Sequence, residues 1–283
     1  MPRSVLALFA ACLLAACASA PVEVAAPPAP KPAPRDEATA AAIELVLAGE
    51  HRSAENRARD EFRHPLDTLL FFGIKPDMTV VEVWPGARGW YIEVLAPLLA
   101  ERGKLYAAVM PPKPGNTYVT ASFKSFTDKL AARPDLYGRV EVTTLAPGNF
   151  AVAPPGSADL VVTFRNIHNW MALGMAPEAF AEMFKALKPG GILGVVEHRG
   201  PAKPQDPRAA SGYVNEEYAI AMIEAAGFEL VARSHINDNP KDTKDYEQGV
   251  WTLPPDYRLG NRDRAKYQAI GESDRFTLKF RKP

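Results

Sequence analysis

The stretch that most limits the possible folds is Thr79-Val80-Val81-Glu82-Val83-Trp84-Pro85-Gly86-Ala87-Arg88-Gly89-Trp90-Tyr91. It opens with β-branched and apolar residues, the composition of a strand buried on both faces. It breaks at Pro85-Gly86, and apolar residues resume with helical spacing at Ile92, Leu95, Ala96 and Leu99. Strand, glycine-bearing turn and helix form the unit on which α/β folds build nucleotide sites. Glycine lets backbone approach a ligand closely, and a helix N-terminus offers unpaired N–H donors. Many strand–helix turns carry glycine for packing alone, so the weight comes from the rest of the chain.

Strand and helix patterns alternate through most of the remaining residues. Strands are expected at Leu105–Met110, Val140–Leu145, Ala158–Phe164, Ile192–Glu197, Phe228–Ser234 and Arg275–Arg281. Helices are expected near Asp36–Gly49, Trp90–Ala100, Ser122–Ala132, Pro177–Leu187 and Asn215–Ala226, with Lys188-Pro189-Gly190-Gly191 as a stop. Arg52–Arg63 alternates in charge and reads as a solvated helix face. The alternation predicts a mostly parallel, doubly wound sheet. Residues 236–273 are long for a connection between strands, and are expected to cap a substrate pocket.

The N-terminus reads differently. Arg3 precedes an apolar run over Val5–Leu14, too short to span a bilayer as a helix. Charged start, apolar middle and small-residue exit are those of a secretory signal. Leu14-Ala15-Ala16-Cys17 resembles the lipobox of bacterial lipoproteins, which implies lipidation of Cys17 and a mature chain beginning there. Ordinary signal cleavage near Ala18-Ser19-Ala20 is the alternative. The expected organisation is a signal over 1–16, a Pro/Ala-rich tether over 17–35 and a folded domain over 36–283. In extended polyproline geometry, Pro21–Pro34 would reach roughly 40 Å from a membrane. The expected location is the periplasmic side of the cell envelope, membrane-bound through the lipid. Both cysteines, Cys12 and Cys17, fall in this leader, so the domain has no disulfide and no thiol nucleophile. Thirty-three basic residues balance 33 acidic ones, which argues against a nucleic-acid partner.

Several pieces match one family together. Val81-Glu82-Val83-Trp84-Pro85-Gly86, Leu187-Lys188-Pro189-Gly190-Gly191-Ile192-Leu193 and Glu224-Ala225-Ala226-Gly227-Phe228 resemble class I S-adenosylmethionine-dependent methyltransferases. Arg165-Asn166-Ile167-His168-Asn169-Trp170 and Asp274-Arg275-Phe276 narrow this to a bacterial subgroup of predicted methyltransferases. The resemblance runs from about Arg52 to the C-terminus. It implies a Rossmann-like, seven-stranded sheet with the last strand antiparallel, and S-adenosylmethionine as cofactor against Glu82, Gly86 and Gly89. Trp90 and Tyr91 would add contacts from their faces, although packing is the better reading of Tyr91. Two departures stand out. Trp84 occupies a usual glycine position, and Ala108-Val109-Met110-Pro111 lacks the acidic residue that normally receives the ribose.

Methyl transfer needs positioning and desolvation more than acid–base chemistry, unless the nucleophile must lose a proton. The polar run after the fourth strand supplies candidates: His168 as general base, Asn166 and Asn169 to orient a nucleophile or hold the loop, Arg165 to bind a carboxylate. Core packing is the better reading of Trp170, and His198 ranks second to His168. No His and carboxylate spacing suggests a metal site. The chain is therefore expected to methylate a small molecule. A tethered, non-catalytic binding protein that keeps the fold is the alternative.

Overall fold

The computed structural model describes Met1 and residues 35–283. Apart from Met1 and Arg35, the signal and the tether, Cys17 included, lie outside the described residues. Among the described residues, eight strands make one sheet: β1 (Thr79–Val83), β2 (Lys104–Val109), β3 (Val140–Ala146), β4 (Asn149–Ala151), β5 (Ala158–Phe164), β6 (Leu187–His198), β7 (Glu229–Ser234) and β8 (Arg275–Arg281). Their order is β4-β3-β2-β1-β5-β6-β8-β7. From β3 to β6 neighbouring strands run parallel, while β8 is antiparallel to both β6 and β7. The chain builds outward from β1 through β2 to β3, then returns to β5 on the other side of β1. That reversal is the switch point at which open α/β sheets bind ligands, at the carboxyl ends of the strands.

The extra strand relative to the expected seven is β4. It has three residues and folds back on β3 through Pro147-Gly148, with Gly148 at φ +77°. A strand that short carries no readable alternation. The helix Ala176–Ala186 does stop before Lys188–Gly191, but β6 begins at Leu187 instead of Ile192 and runs through that segment. Gly190 N–H donates to Lys282 O and Lys282 N–H to Gly191 O, which extends pairing with the chain end.

Side chains fill both faces. On one, Val81, Val83 and Leu193 pack with Trp170, Phe180, Ile223 and Phe276; on the other, Val80, Leu105 and Val162 pack with Leu69, Phe72, Tyr91 and Leu95. Glu37–Leu47 and Pro65–Phe72 are helices whose Ile43, Leu69 and Phe72 belong to the second face.

Between those helices the structure overturns the expected solvated face. Arg52–Arg63 forms two single-turn helices, Ala54–Arg57 and Asp60–Arg63, with Arg52, Asn56 and Arg63 buried. Arg52 makes a bidentate pair with Asp60 at 2.6 and 2.8 Å. Arg52 and Arg63 also stand 5.1 and 4.5 Å from the centroid of the Trp90 ring. Arg52, Arg59, Asp60 and Arg63 turn to partners within the protein, while Glu55, Arg57 and Glu61 face water as expected.

Candidate active site

Two strand ends at the switch point carry strained backbone. Trp84, directly after β1, has φ +50°, and Arg165, directly after β5, has φ +64°. A non-glycine residue in this region costs about 1–3 kcal/mol and persists where surrounding contacts over-determine it. Trp84 N–H donates to Ala108 O at 2.8 Å and its indole Nε1–H to Leu145 O at 2.9 Å. Arg165 N–H donates to Val196 O at 2.7 Å. Asn166 joins the two turns: its Nδ2 donates to Val83 O at 2.8 Å and to Thr163 Oγ1 at 3.1 Å.

Beside these turns lies a pocket of ≈ 620 Å³. Trp84, Pro85 and Gly86 line it from β1, Met110 to Pro114 from β2, and Asn166 and Asn169 from β5. That volume falls within the roughly 300–1,000 Å³ of small-molecule sites. Gly86 sits at φ +73° with nothing within 4 Å of where a Cβ would stand, so its missing side chain leaves open space. The tryptophan in place of glycine does not close the pocket, because its indole is anchored toward β3 and packs edge-on against Trp170 at 5.9 Å. Among the described residues no carboxylate lines the pocket. Its polar lining is Lys113, Asn116, Ser122, Asn149, Asn166 and Asn169, with Tyr118 beside them. An adenosyl ligand fits this volume, with amide and hydroxyl groups in place of the usual acid. A second hollow of ≈ 410 Å³, lined by Gly103, Lys104, Val140 and Glu141, lies at the amino ends of β2 and β3 and gathers no comparable polar set.

Gly89, Trp90 and Glu82, expected at the cofactor, do not line the pocket, and Tyr91 packs in the core as expected. Gly89 is buried beneath Phe126 and Ile92, each 3.2 Å from a notional Cβ, so close packing is what requires it. Trp90 is buried between Arg52 and Arg63, with Nε1–H donating to Asn56 O at 3.0 Å. Tyr91 stacks on Phe164, ring centroids 3.5 Å apart. Glu82 shares a sheet face with Val80 and does not line the pocket. Its carboxyl is buried and Oε2 lacks a partner. Burial raises its pKa to about 8, against the opposing pull of Arg63 and Lys129.

His168 lies at the start of the helix Ile167–Leu173, buried, with Nδ1 3.1 Å from Glu197 Oε1. Glu197 is fully buried at the end of β6 and also accepts the backbone N–H of His168 at 3.3 Å and of His198 at 2.7 Å. An acceptor on Nδ1 fixes the proton there and leaves Nε2 as the basic nitrogen. His198 Nδ1 meets Ser273 Oγ at 2.5 Å. Burial, then the charges of His168, Arg165 and Arg275, holds His198 well below the usual histidine range, so it is neutral at pH 7. Trp251, from the long 236–273 connection, packs edge-on against His168 at 6.0 Å. Arg258 lies 4.2 Å over that indole.

The sequence spacing that argued against a metal does not describe the fold, which gathers His168, Glu197 and His198 within reach of one ion. The hydrogen bonds nonetheless commit both Glu197 oxygens to N–H donors. Arg165, with its pKa lowered to about 10 chiefly by burial and then by Arg275, places further positive charge nearby. A histidine oriented by a carboxylate describes the group better than a ligand set.

Sequence reasoning singled out His168, Asn166 and Arg165 but missed Glu197 as the partner of His168. A charged residue closing an otherwise apolar strand, just before His198, was the available signal. Arg63 and Glu272 were also missed, and no local pattern marks them.

No family model and no curated protein matches this chain. Solved structures do. A S-adenosylmethionine-dependent methyltransferase from Aquifex aeolicus superposes with a TM-score of 0.55 at 17% identity, over 86% of this chain and 98% of that one. The [4+2]-cyclase SpnF superposes with a TM-score of 0.53 at 18% identity, over 83% and 85%. At such identities the likeness is one of fold, and the fold is that of class I methyltransferases.

Proposed function

We propose that this domain is an S-adenosylmethionine-dependent methyltransferase acting on a small molecule. The observation that carries the proposal is the cofactor-sized pocket opening on Gly86 at the switch point; His168, paired with Glu197, does not line it but stands on the helix that supplies Asn169 to its lining. The cofactor supplies an electrophilic methyl on a positively charged sulfur. Gly86 and the Asn166-braced β1 turn would hold its amino-acid end, and the amides of Asn116, Asn149 and Asn169 its polar edges. His168 Nε2 would accept the proton that the acceptor's nucleophile gives up. Glu197 would stabilise the imidazolium produced. Trp251 and its segment would exclude water from that step. Crystals grown with S-adenosylhomocysteine test the assignment. Density along Gly86 and Asn166 supports it, and density only elsewhere refutes it.

A second reading, a binding protein or an enzyme of other chemistry on the same fold, draws on Trp84 and on the absence of a carboxylate at the end of β2. A fold hosts many functions, and one structure superposing on this chain is a cyclase. We further propose that a lipid on Cys17 holds the domain at the membrane on the periplasmic side. Mass spectrometry of the mature N-terminus tests this, and an unmodified start downstream of Cys17 would exclude it.

A further inference from the structure

One polar cluster at the same end of the sheet has no role in that reading. Arg59, Arg63 and Arg275 converge on a single carboxylate, Glu272, in the turn leading into β8. Arg59 Nε donates to Glu272 Oε1 at 2.5 Å and Arg275 Nη2 donates to Oε2. Arg63 Nε stands 3.6 Å from Oε2, too far for a hydrogen bond. Arg165, half-buried at the end of β5, adds a fourth guanidinium whose charge acts on Arg63 and on Glu272. Its side chain donates no hydrogen bond among the described residues.

This cluster is short of negative charge. Glu197, the other carboxylate whose charge reaches Arg165, is already taken by His168 and by two backbone N–H groups. The side chains of Arg63 and Arg275 are 4% and 3% exposed. Arg59 Nη2, Arg63 Nε and Nη2, and Arg275 Nε are buried without a hydrogen-bond partner among the described residues. Guanidiniums do not shed their protons, and buried charge is tolerated when paired and hydrogen-bonded. A purely structural role, in which Glu272 ties the N-terminal helices to β8, accounts for the contacts to Glu272. It accounts neither for four orphaned donors nor for Arg165.

We infer that Arg63, Arg165 and Arg275 form an oxyanion site that binds the carboxylate or phosphate of the methyl acceptor, making the acceptor a small anion. Arg165 is half-buried where Arg63 and Arg275 are buried, and is the way in. It directly precedes Asn166, which borders the cofactor pocket, and lies three residues before His168. Guanidinium forks suit such groups, since their hydrogen bonds to oxyanions are charge-assisted and often paired. The word acceptor rests on the methyltransferase reading; the oxyanion site does not.

Calorimetric titration of the protein with inorganic phosphate and, separately, with succinate tests the inference, using chloride at matched ionic strength as the blank. Saturable binding of at least one anion is expected, and which one binds tells a phosphate acceptor from a carboxylate one. Arg165→Gln should weaken that binding at least tenfold. Arg165→Lys keeps the charge without the fork and should weaken it less, and it provides the comparison if the glutamine variant does not fold. S-adenosylhomocysteine affinity should change less than twofold in either variant. No saturable binding of either anion, or binding that Arg165→Gln leaves unchanged, would overturn the site. Loss of S-adenosylhomocysteine binding by the wild-type protein would instead sink the methyltransferase reading and leave the anion result standing.

Discussion

Replacing Glu272 by glutamine removes the carboxylate that Arg59, Arg63 and Arg275 share. Glu272 is 2% exposed, so water does not substitute for the lost charge. Removing one partner of a buried ion pair costs about 3–5 kcal/mol, because the remaining charge stays buried without compensation. Here three guanidiniums would be left facing one another, which puts the expected loss at the upper end of that range. For a domain of this size the fall in Tm is roughly 6–20 °C. Acid should mimic the substitution. Burial pushes the Glu272 carboxyl up, but Arg275, Arg63 and Arg59 more than offset this and hold it well below the usual range. A carboxylate depressed in the folded state contributes stability above its unfolded pKa of 4.5. That contribution is lost as pH falls from there through the folded value. Urea denaturation of both proteins from pH 7 down to pH 3 is the assay. The wild type should lose stability below about pH 4.5, and the gap to Glu272→Gln should narrow there. A variant as stable as wild type at pH 7, or a gap that does not change with pH, would refute the reasoning.

Other outcomes follow from the same contacts. Glu82 behaves with the opposite sign: its folded pKa of about 8 lies above the unfolded 4.5, so the stability tied to its neutral form is complete below pH 4.5 and lost as pH rises through 8. Glu82→Gln should therefore melt with the wild type at pH 5 and be more stable at pH 9, by on the order of 2–4 kcal/mol; an identical difference at both pH values would discount the buried carboxyl. His168→Gln should slow methyl transfer roughly 10²–10⁴-fold, and leave S-adenosylhomocysteine affinity unchanged. Glu197→Gln should also lower kcat without changing that affinity. Lost cofactor affinity in either would assign the pair to binding instead of proton transfer.

The fold was legible where patterns are local. β1 through Leu99 announces itself by a buried strand, a Pro-Gly break and a helical apolar period. The strands at Ala158–Phe164 and Arg275–Arg281 were found to the residue, because continuous or alternating apolar residues carry their burial. What escaped depends on distance along the chain. Arg52–Arg63 looks like a solvated face because charges read as exposed by default, and the partner that buries Arg59 is 213 residues away. β4 is held by pairing with β3, not by its own three residues. At the site, the polar density of 165–170 was visible, but the division of labour was not. Trp90 and Gly89 follow the glycine turn as cofactor contacts would, yet the tilt of that turn directs them to Arg63 and Phe126.

The most direct measurement is calorimetric titration of the purified protein with S-adenosylhomocysteine, in the wild type and in Gly86→Asp. Gly86 points open space at the pocket from a left-handed backbone, so the substitution sends a carboxylate into the cofactor's place. It should cost about 1 kcal/mol of backbone strain, too little to unfold the domain. The expected result is micromolar affinity, about −8 kcal/mol, in the wild type and none in a Gly86→Asp protein that still melts cooperatively. No binding by a folded wild-type protein, or binding that Gly86→Asp leaves intact, would contradict a cofactor site at the end of β1.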